Sequence, residues 1–314
     1  MDTTTAWVSD RDGALGQRVE RLLVESSTAA LADVDAAEVL VWLAGHDDRP
    51  GRGGPSLTDT LVGAPRAAHV VVVSSAMVYG AYANNPVPLT EEAALRPDFD
   101  HAHRLVALEH EADDWRRASP GRTVTVLRPA ITLAADSASP MVRALAAGMG
   151  QRTAESDPPA QFLHLDDLAS AIELAVRRRL DGVRNVAPDG AIPGDRVRAL
   201  AGSVPRLKLP ERANEVVTNL RWRFQRGPIP PGLVSYTRHP WLVANDKIVA
   251  DGWQASVTNE QAYVEGTEAK WWTMVSPKRR QELALGGAVT GAASVLLVVV
   301  RAIRAARAGS PVRR

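Results

Sequence analysis

The chain has 314 residues, 37 basic against 36 acidic side chains, 45% apolar residues and no cysteine. That length can bury a full core, and a net charge of +1 supplies no field to hold a nucleic-acid backbone, so nucleic acid is set aside as a partner. Absence of cysteine excludes disulfides, thiolate metal sites and a Cys nucleophile, and the seven His residues lack the paired spacing of a zinc helix, so no metal is expected.

The first ten residues carry neither the basic region nor the apolar run of a secretory signal, which places the body in the cytoplasm as an expectation. Gly16 to Val24 has helical spacing and reads as the first helix. Three short apolar runs bounded by turn residues, Val39 to Leu43, Val70 to Val73 and Val124 to Leu127, read as buried strands. Further helices are expected over Leu105 to Trp115 and over Leu168 to Arg178, the second preceded by Asp166 and Asp167 as capping candidates. Strands alternating with helices imply an α/β chain with a doubly wound parallel sheet, whose ligands sit beyond the carboxyl ends of the strands.

After about residue 205 the composition shifts. Trp222, Trp241, Trp253, Trp271 and Trp272 crowd a Pro-rich stretch of weaker periodicity. The expected organisation is therefore a main domain over 1–205, a small cap region over 206–275, and a terminal segment over 276–314. Within that segment Leu283 to Val300 carries no charge, with Lys278, Arg279, Arg280 and Glu282 before it and Arg301, Arg304 and Arg307 after it. As a helix it would span about 27 Å, just short of a hydrocarbon core of roughly 30 Å. A membrane anchor and a docked amphipathic helix both fit, and the GxxxG spacing of Gly287 and Gly291 would let two copies pair as a homodimer.

The string from Val70 to Gly80, VVVVSSAMVYG, followed by PVPLTEE from Pro86 to Glu92, resembles the fifth strand and following loop of the extended short-chain dehydrogenase/reductases, the NAD-dependent epimerase/dehydratase family. Val41 to Gly45 resembles that family's fourth strand and Leu127 to Pro129 its sixth. Phe162 to Leu168, Asn185 to Pro188, His239 to Trp241 and Asp251 to Trp253 agree in order, so the resemblance covers roughly residues 5 to 265. It implies a Rossmann-like fold and NAD or NADP as the cofactor, if one is bound.

The family's glycine fingerprint, TGxxGxxG, falls on Ser9 to Gly16. Gly13 and Gly16 match its second and third glycines, and Asp10 stands in place of the first. In such a turn the backbone amides and the helix N-terminus receive the pyrophosphate. Asp10 and Asp12 bring two carboxylates there, unfavourable for a diphosphate unless Arg11 turns inward; alternatively one aspartate caps the helix. Only Val24 to Glu38 separates the first helix from the next strand, too little for a complete second β-α-β unit. Asp33 or Asp35 could stand in for the ribose-binding acid, or serve a turn.

Family members pair a Ser in the strand-five loop with Tyr-x-x-x-Lys on the next helix, the Lys lowering the Tyr pKa and holding the nicotinamide ribose. Ser75 matches the Ser, whereas His101 falls on the Tyr and Leu105 on the Lys. No shifted alignment restores the pair, because the first lysine of the chain is Lys208. His101 is a competent acid-base group by its chemistry, or part of a solvated helix start. Arg128, at a strand end where ligands bind in such sheets, could meet a phosphate or carboxylate, of the cofactor among others, or form a structural ion pair. Three readings follow: a family member that has lost hydride transfer and acts as a binding, sensing or scaffolding module at a membrane; an active oxidoreductase or epimerase using Ser75 and His101; or a chain whose terminal helix dimerises it. The ligand is an unknown small molecule or a protein partner.

Overall fold

The computed structural model describes residues 4–43, 56–136, 140–149, 158–201 and 231–267, all within a unit spanning Met1–Thr267. Trp222, Trp271, Trp272 and the uncharged run 283–300 lie outside the described residues. Among the described residues no helix is long and apolar enough to cross a membrane.

Six strands form one parallel sheet: β1 (Thr5–Val8), β2 (Ala30–Leu31), β3 (Val39–Leu43), β4 (His69–Val73), β5 (Thr123–Pro129) and β8 (Gly182–Val186), in the order β2-β1-β3-β4-β5-β8. Val39 to Leu43 pairs in register with His69 to Val73, and all five residues of β4 are buried. Continuous apolar runs suit strands covered on both faces. One face, through Val8, Val41, Val71 and Leu127, packs on α1 (Ala14–Glu25) and α5 (Leu165–Arg178). The other, through Leu40, Val70, Val72 and Val124, packs on Leu57 of α2 (Leu57–Val62) and Ala112 of α3 (Asp100–Arg117). The sheet is thus Rossmann-like and doubly wound, as the alternation of elements implies.

The curtailed second unit is visible at the edge. β2 has two residues, both exposed, and residues 32–38 lead directly into β3 without a helix. Trp7 of β1 and Trp42 of β3, half-buried on that part of the sheet, cover each other with ring centroids 6.4 Å apart.

A second apolar cluster lies over the carboxyl ends of the strands. It joins a 3-10 turn (Ala76–Tyr79), the first turns of α3, the parallel pair β6 (Ile131–Leu133) and β7 (Phe162–His164), and α4 (Pro140–Gly148). Val197 of α6 (Gly194–Ala201) joins them. The described part of the Trp-rich region completes this cluster. It comprises a 3-10 turn (Pro231–Leu233), α7 (Val234–Arg238), α8 (Asp246–Ala250) and α9 (Asn259–Thr267). Tyr236 and Trp241 stack edge-to-face at 5.2 Å, and Leu89 of the loop after the first 3-10 turn pairs with Val243. Trp241 and Trp253 are both buried, so they plug apolar cores rather than present a stacking surface.

The expected strands are present, β4 and β5 being slightly longer than read. The helices of the main domain also extend beyond the reading, α1 starting at Ala14 and α3 at Asp100. The cap of α5 is a correction. His164 holds the N-cap position and its Nδ1 accepts from the Asp166 amide at 3.2 Å. Asp167 instead takes the Ser256 and Val257 amides and the Ser256 hydroxyl on its buried carboxylate, tying residues 253–257 to α5.

Candidate functional site

The β1-α1 turn keeps Gly13 and Gly16, with Asp10 in place of the first glycine of the resembling fingerprint. Asp10 adopts the left-handed conformation at φ 49° that this place demands, a region Asp tolerates better than most residues. The Gly13 amide donates to the Asp10 carbonyl at 3.0 Å, closing the turn. A Cβ on Gly16 would lie 2.2 Å from the Asp10 carbonyl oxygen, so the third glycine is required for α1 to approach the strand. A Cβ on Gly13 would lie 2.1 Å from Asp10 Oδ2. The Asp10 carboxylate therefore fills the space that the second glycine leaves at the start of α1.

Arg11 does not turn inward to offset this charge. Its guanidinium pairs with Glu20 on α1. Arg18, one turn into the same helix, is held by Asp136 at 2.8 Å and Asp166 at 2.6 Å. Asp33 follows β2 at its carboxyl end, exposed, with its carbonyl accepting the Ala36 amide at 3.1 Å. Asp33 therefore serves the turn between β2 and β3. Gly13 and Gly16 thus lie where the turn after β1 enters α1 and Asp33 just after β2, with the Asp10 carboxylate against Gly13.

At the end of β4, Ser75 caps the 3-10 turn, its Oγ accepting from the Met77 amide at 3.2 Å. On α3, His101, Leu105 and Glu109 recur every four residues and all face inward. His101 is 6% exposed, with its ring 6.3 Å from Phe99, so it is not part of a solvated helix start. His103 and Arg104 are exposed. Leu105, in the place of the family's lysine, is 3% exposed within the apolar cluster that contains Tyr79.

Of its two readings, Arg128 takes the structural ion pair. It is buried at the end of β5, donating through Nη2 to Glu109 Oε2 at 2.6 Å and through Nε to Glu109 Oε1 at 3.1 Å. Its Nη1 donates to the Tyr79 hydroxyl at 2.8 Å, which donates to Asn185 Oδ1 at 2.8 Å. Ser74 Oγ completes the set on Glu109 Oε1 at 2.6 Å. Burial pulls the guanidinium pKa down, but the hydrogen bond and charge of Glu109 outweigh it and the net shift is upward. Burial likewise raises Tyr79 despite the nearby Arg128, which keeps it a neutral hydrogen-bonding phenol rather than a base. This network holds the carboxyl ends of β4, β5 and β8 together under the site.

Other candidates resolve into structure. The Glu91 carboxylate accepts the Asn185 backbone amide at 2.9 Å, while Glu92 pairs with Lys247. His164 Nε2 lies 3.2 Å from Glu265, linking α5 to α9. Among the described residues no group of acidic and His side chains is arranged to hold a metal ion. Glu109, Tyr79 and Asn185 were not singled out in sequence; the available signal for Glu109 was its i+8 spacing from His101 on one helix face.

No family model matches the chain. Uncharacterized proteins of Mycobacterium tuberculosis and Mycobacterium bovis are 28% identical over 144 residues, 45% of this chain. The chain spans only 38% of the length of those curated relatives. Solved structures are similar over more of the chain. RMD from Pseudomonas aeruginosa complexed with NADPH gives a TM-score of 0.60 at 19% identity, covering 85% of this chain and 99% of that one. A UDP-glucose 4-epimerase from Thermotoga maritima, solved with UDP-glucose, gives 0.58 at 14% identity, covering 85% and 98%. A human epimerase family protein with NADPH gives 0.56 at 17% identity, covering 85% and 100%. The chain has the fold of the extended short-chain dehydrogenase/reductases.

Proposed function

We propose that this protein binds a nicotinamide dinucleotide, NAD or NADP, without transferring hydride, and serves as a binding, sensing or scaffolding module. Leu105 carries the reading. A catalytic lysine in that place would hold the nicotinamide ribose and lower the pKa of its partner hydroxyl; a leucine 3% exposed in an apolar cluster does neither. His101 in the tyrosine's place is buried beside Phe99, with no lysine in the chain before Lys208 to tune it. The NADPH complexes of RMD and of the human epimerase family protein support a dinucleotide as the ligand. In this chain the Gly13 and Gly16 turn with the α1 N-terminus would hold the pyrophosphate, and Asp33 the adenosine ribose. When bound, the nicotinamide would supply a hydride donor or acceptor, and no lysine precedes Lys208 to tune a partner hydroxyl for it.

The body is proposed to be cytoplasmic, with the uncharged run 283–300 as its membrane contact and Gly287 and Gly291 as a pairing surface for a second copy. The binding reading is tested by calorimetric titration of NADH and NADPH, with nicotinamide absorbance followed over a panel of keto and hydroxy sugars. Binding without turnover is expected. Turnover that is lost in His101→Ala and Ser75→Ala would overturn the reading in favour of an active oxidoreductase or epimerase.

A further inference from the structure

We propose that the face formed by α2 and α3 is an interface for a second copy of this chain, with the two α3 helices antiparallel and joined through Arg104 and Asp114. Three observations carry it, and none depends on the dinucleotide reading. Between the two helices runs an open groove of about 810 Å³ whose lining includes Leu61, Val62, Ala107 and Trp115, and Val62 is 80% exposed there. On α3, Arg104, Ala107, Glu111 and Asp114 recur at intervals of three or four residues and so share one face. Arg104, Ala107 and Asp114 are exposed, and Glu111 is half-buried where the Thr58 hydroxyl of α2 donates to it. Among the described residues Arg104 pairs with no acid, and the Asp114 side chain, 78% exposed, meets Arg117 at 3.8 Å.

The charge along that face reverses sign, and this selects the partner. A two-fold axis beside Glu109 lays α3 antiparallel on its copy and sets Arg104 opposite Asp114 and Ala107 opposite Glu111, each pair occurring twice. Asp100 then lies opposite the turn that carries Arg117, so no two like charges are directly opposed. A parallel arrangement would set Arg104 on Arg104 and Asp114 on Asp114, which is unfavourable. Ala107, small and near the axis, lets the helices approach. Closure removes Val62 and the half-buried Trp115 from water, which supplies attraction without direction, while the ion pairs fix the register. This surface is distinct in sequence from Gly287 and Gly291, so the two pairings can be tested apart.

The test is sedimentation equilibrium of the full-length parent, Arg104→Asp, Asp114→Arg and the double variant, with circular dichroism to confirm that each is folded. A dimer is expected whose dissociation constant rises about tenfold or more in each single variant and returns toward the parent value in the double variant, where the charges are exchanged. Because the chain has no cysteine, Arg104→Cys combined with Asp114→Cys gives a second readout. Under copper-phenanthroline oxidation that pair should form a covalent dimer that neither single cysteine variant forms, since only the antiparallel register brings positions 104 and 114 of two copies together. A monomeric parent would overturn the proposal. So would a dimer of equal strength in the parent and the three charge variants, which would place pairing elsewhere, and so would a covalent dimer formed equally by the single cysteine variants.

Discussion

Glu109 Oε2 lies 2.6 Å from Arg128 Nη2, both side chains are 5% exposed, and the pair is the hub of the hydrogen bonds beneath the carboxyl ends of β4, β5 and β8. A buried ion pair adds little when compared with a well-packed apolar pair, but removing one partner leaves a charge stranded in the core. Glu109→Ala is therefore expected to cost about 3–5 kcal/mol of stability in urea unfolding. Replacing both residues, as Glu109→Leu with Arg128→Met, should recover most of that loss. If the single and double variants unfolded at the same urea concentration, the destabilisation would not come from an uncompensated charge.

The two retained glycines of the turn should respond differently to alanine. At Gly16 the new Cβ would meet backbone, the Asp10 carbonyl oxygen at 2.2 Å, and relief requires α1 to move away from β1 with Leu15, Val19 and Leu23 attached. At Gly13 the principal obstacle is the far end of the Asp10 side chain, which can rotate. Gly16→Ala is expected to cost about 1–3 kcal/mol and Gly13→Ala under about 1 kcal/mol, as read from thermal or urea midpoints. The reverse order would mean that the Asp10 side chain, not its backbone, fixes the turn.

How much was legible in sequence follows from which forces are local. β3, β4 and β5 could be read because strands covered on both faces are continuous apolar runs, and α1 and α5 because their buried residues recur with helical spacing. β2 could not, since Ala30 and Leu31 form an exposed two-residue edge with no periodicity to detect. His101 was ambiguous for a related reason. Its neighbours Asp98, Asp100 and His103 are polar, and its burial comes from tertiary packing, with the Phe99 ring 6.3 Å away, that local periodicity does not show. The destination of Arg128 was equally hidden, because a strand-end arginine has the same local sequence whether it faces a phosphate or a glutamate 19 positions earlier on α3. Asp10 in the place of a glycine is legible as an anomaly, but its left-handed backbone and its carboxylate's place over Gly13 are set by the folded turn.

Asp167 is expected to anchor the segment that follows α8. Its buried carboxylate accepts the Ser256 amide at 2.8 Å, the Ser256 hydroxyl at 2.6 Å and the Val257 amide at 3.0 Å, while Trp253 Nε1 donates to the hydroxyl of Ser170 one turn along α5. Asp167→Ala removes the acceptor for two backbone amides and should cost about 1–3 kcal/mol. Hydrogen exchange is the discriminating measurement. Faster exchange confined to residues 253–258 is the expected result, and uniform acceleration across the sheet would show that the bond supports the whole fold rather than that segment.

His69 should make the fold sensitive to acid. It opens β4 fully buried, its Nδ1 is 2.8 Å from Thr123 Oγ1, and its Nε2 has no hydrogen-bond partner among the described residues. Burial, reinforced by the charge of Arg179, lowers its pKa from 6.5 to about 4. The folded protein therefore keeps the ring neutral where the unfolded chain would protonate it. Stability from this residue is complete above pH 6.5, declines as the pH falls toward 4 and is flat below that, a loss of about 3 kcal/mol. Urea unfolding at pH 7, 5.5 and 4 should show that decline in the parent, and a variant with His69→Leu should show a shallower one because its core has no group to protonate. An identical decline in both proteins would assign the acid sensitivity to other groups and remove His69 as its source.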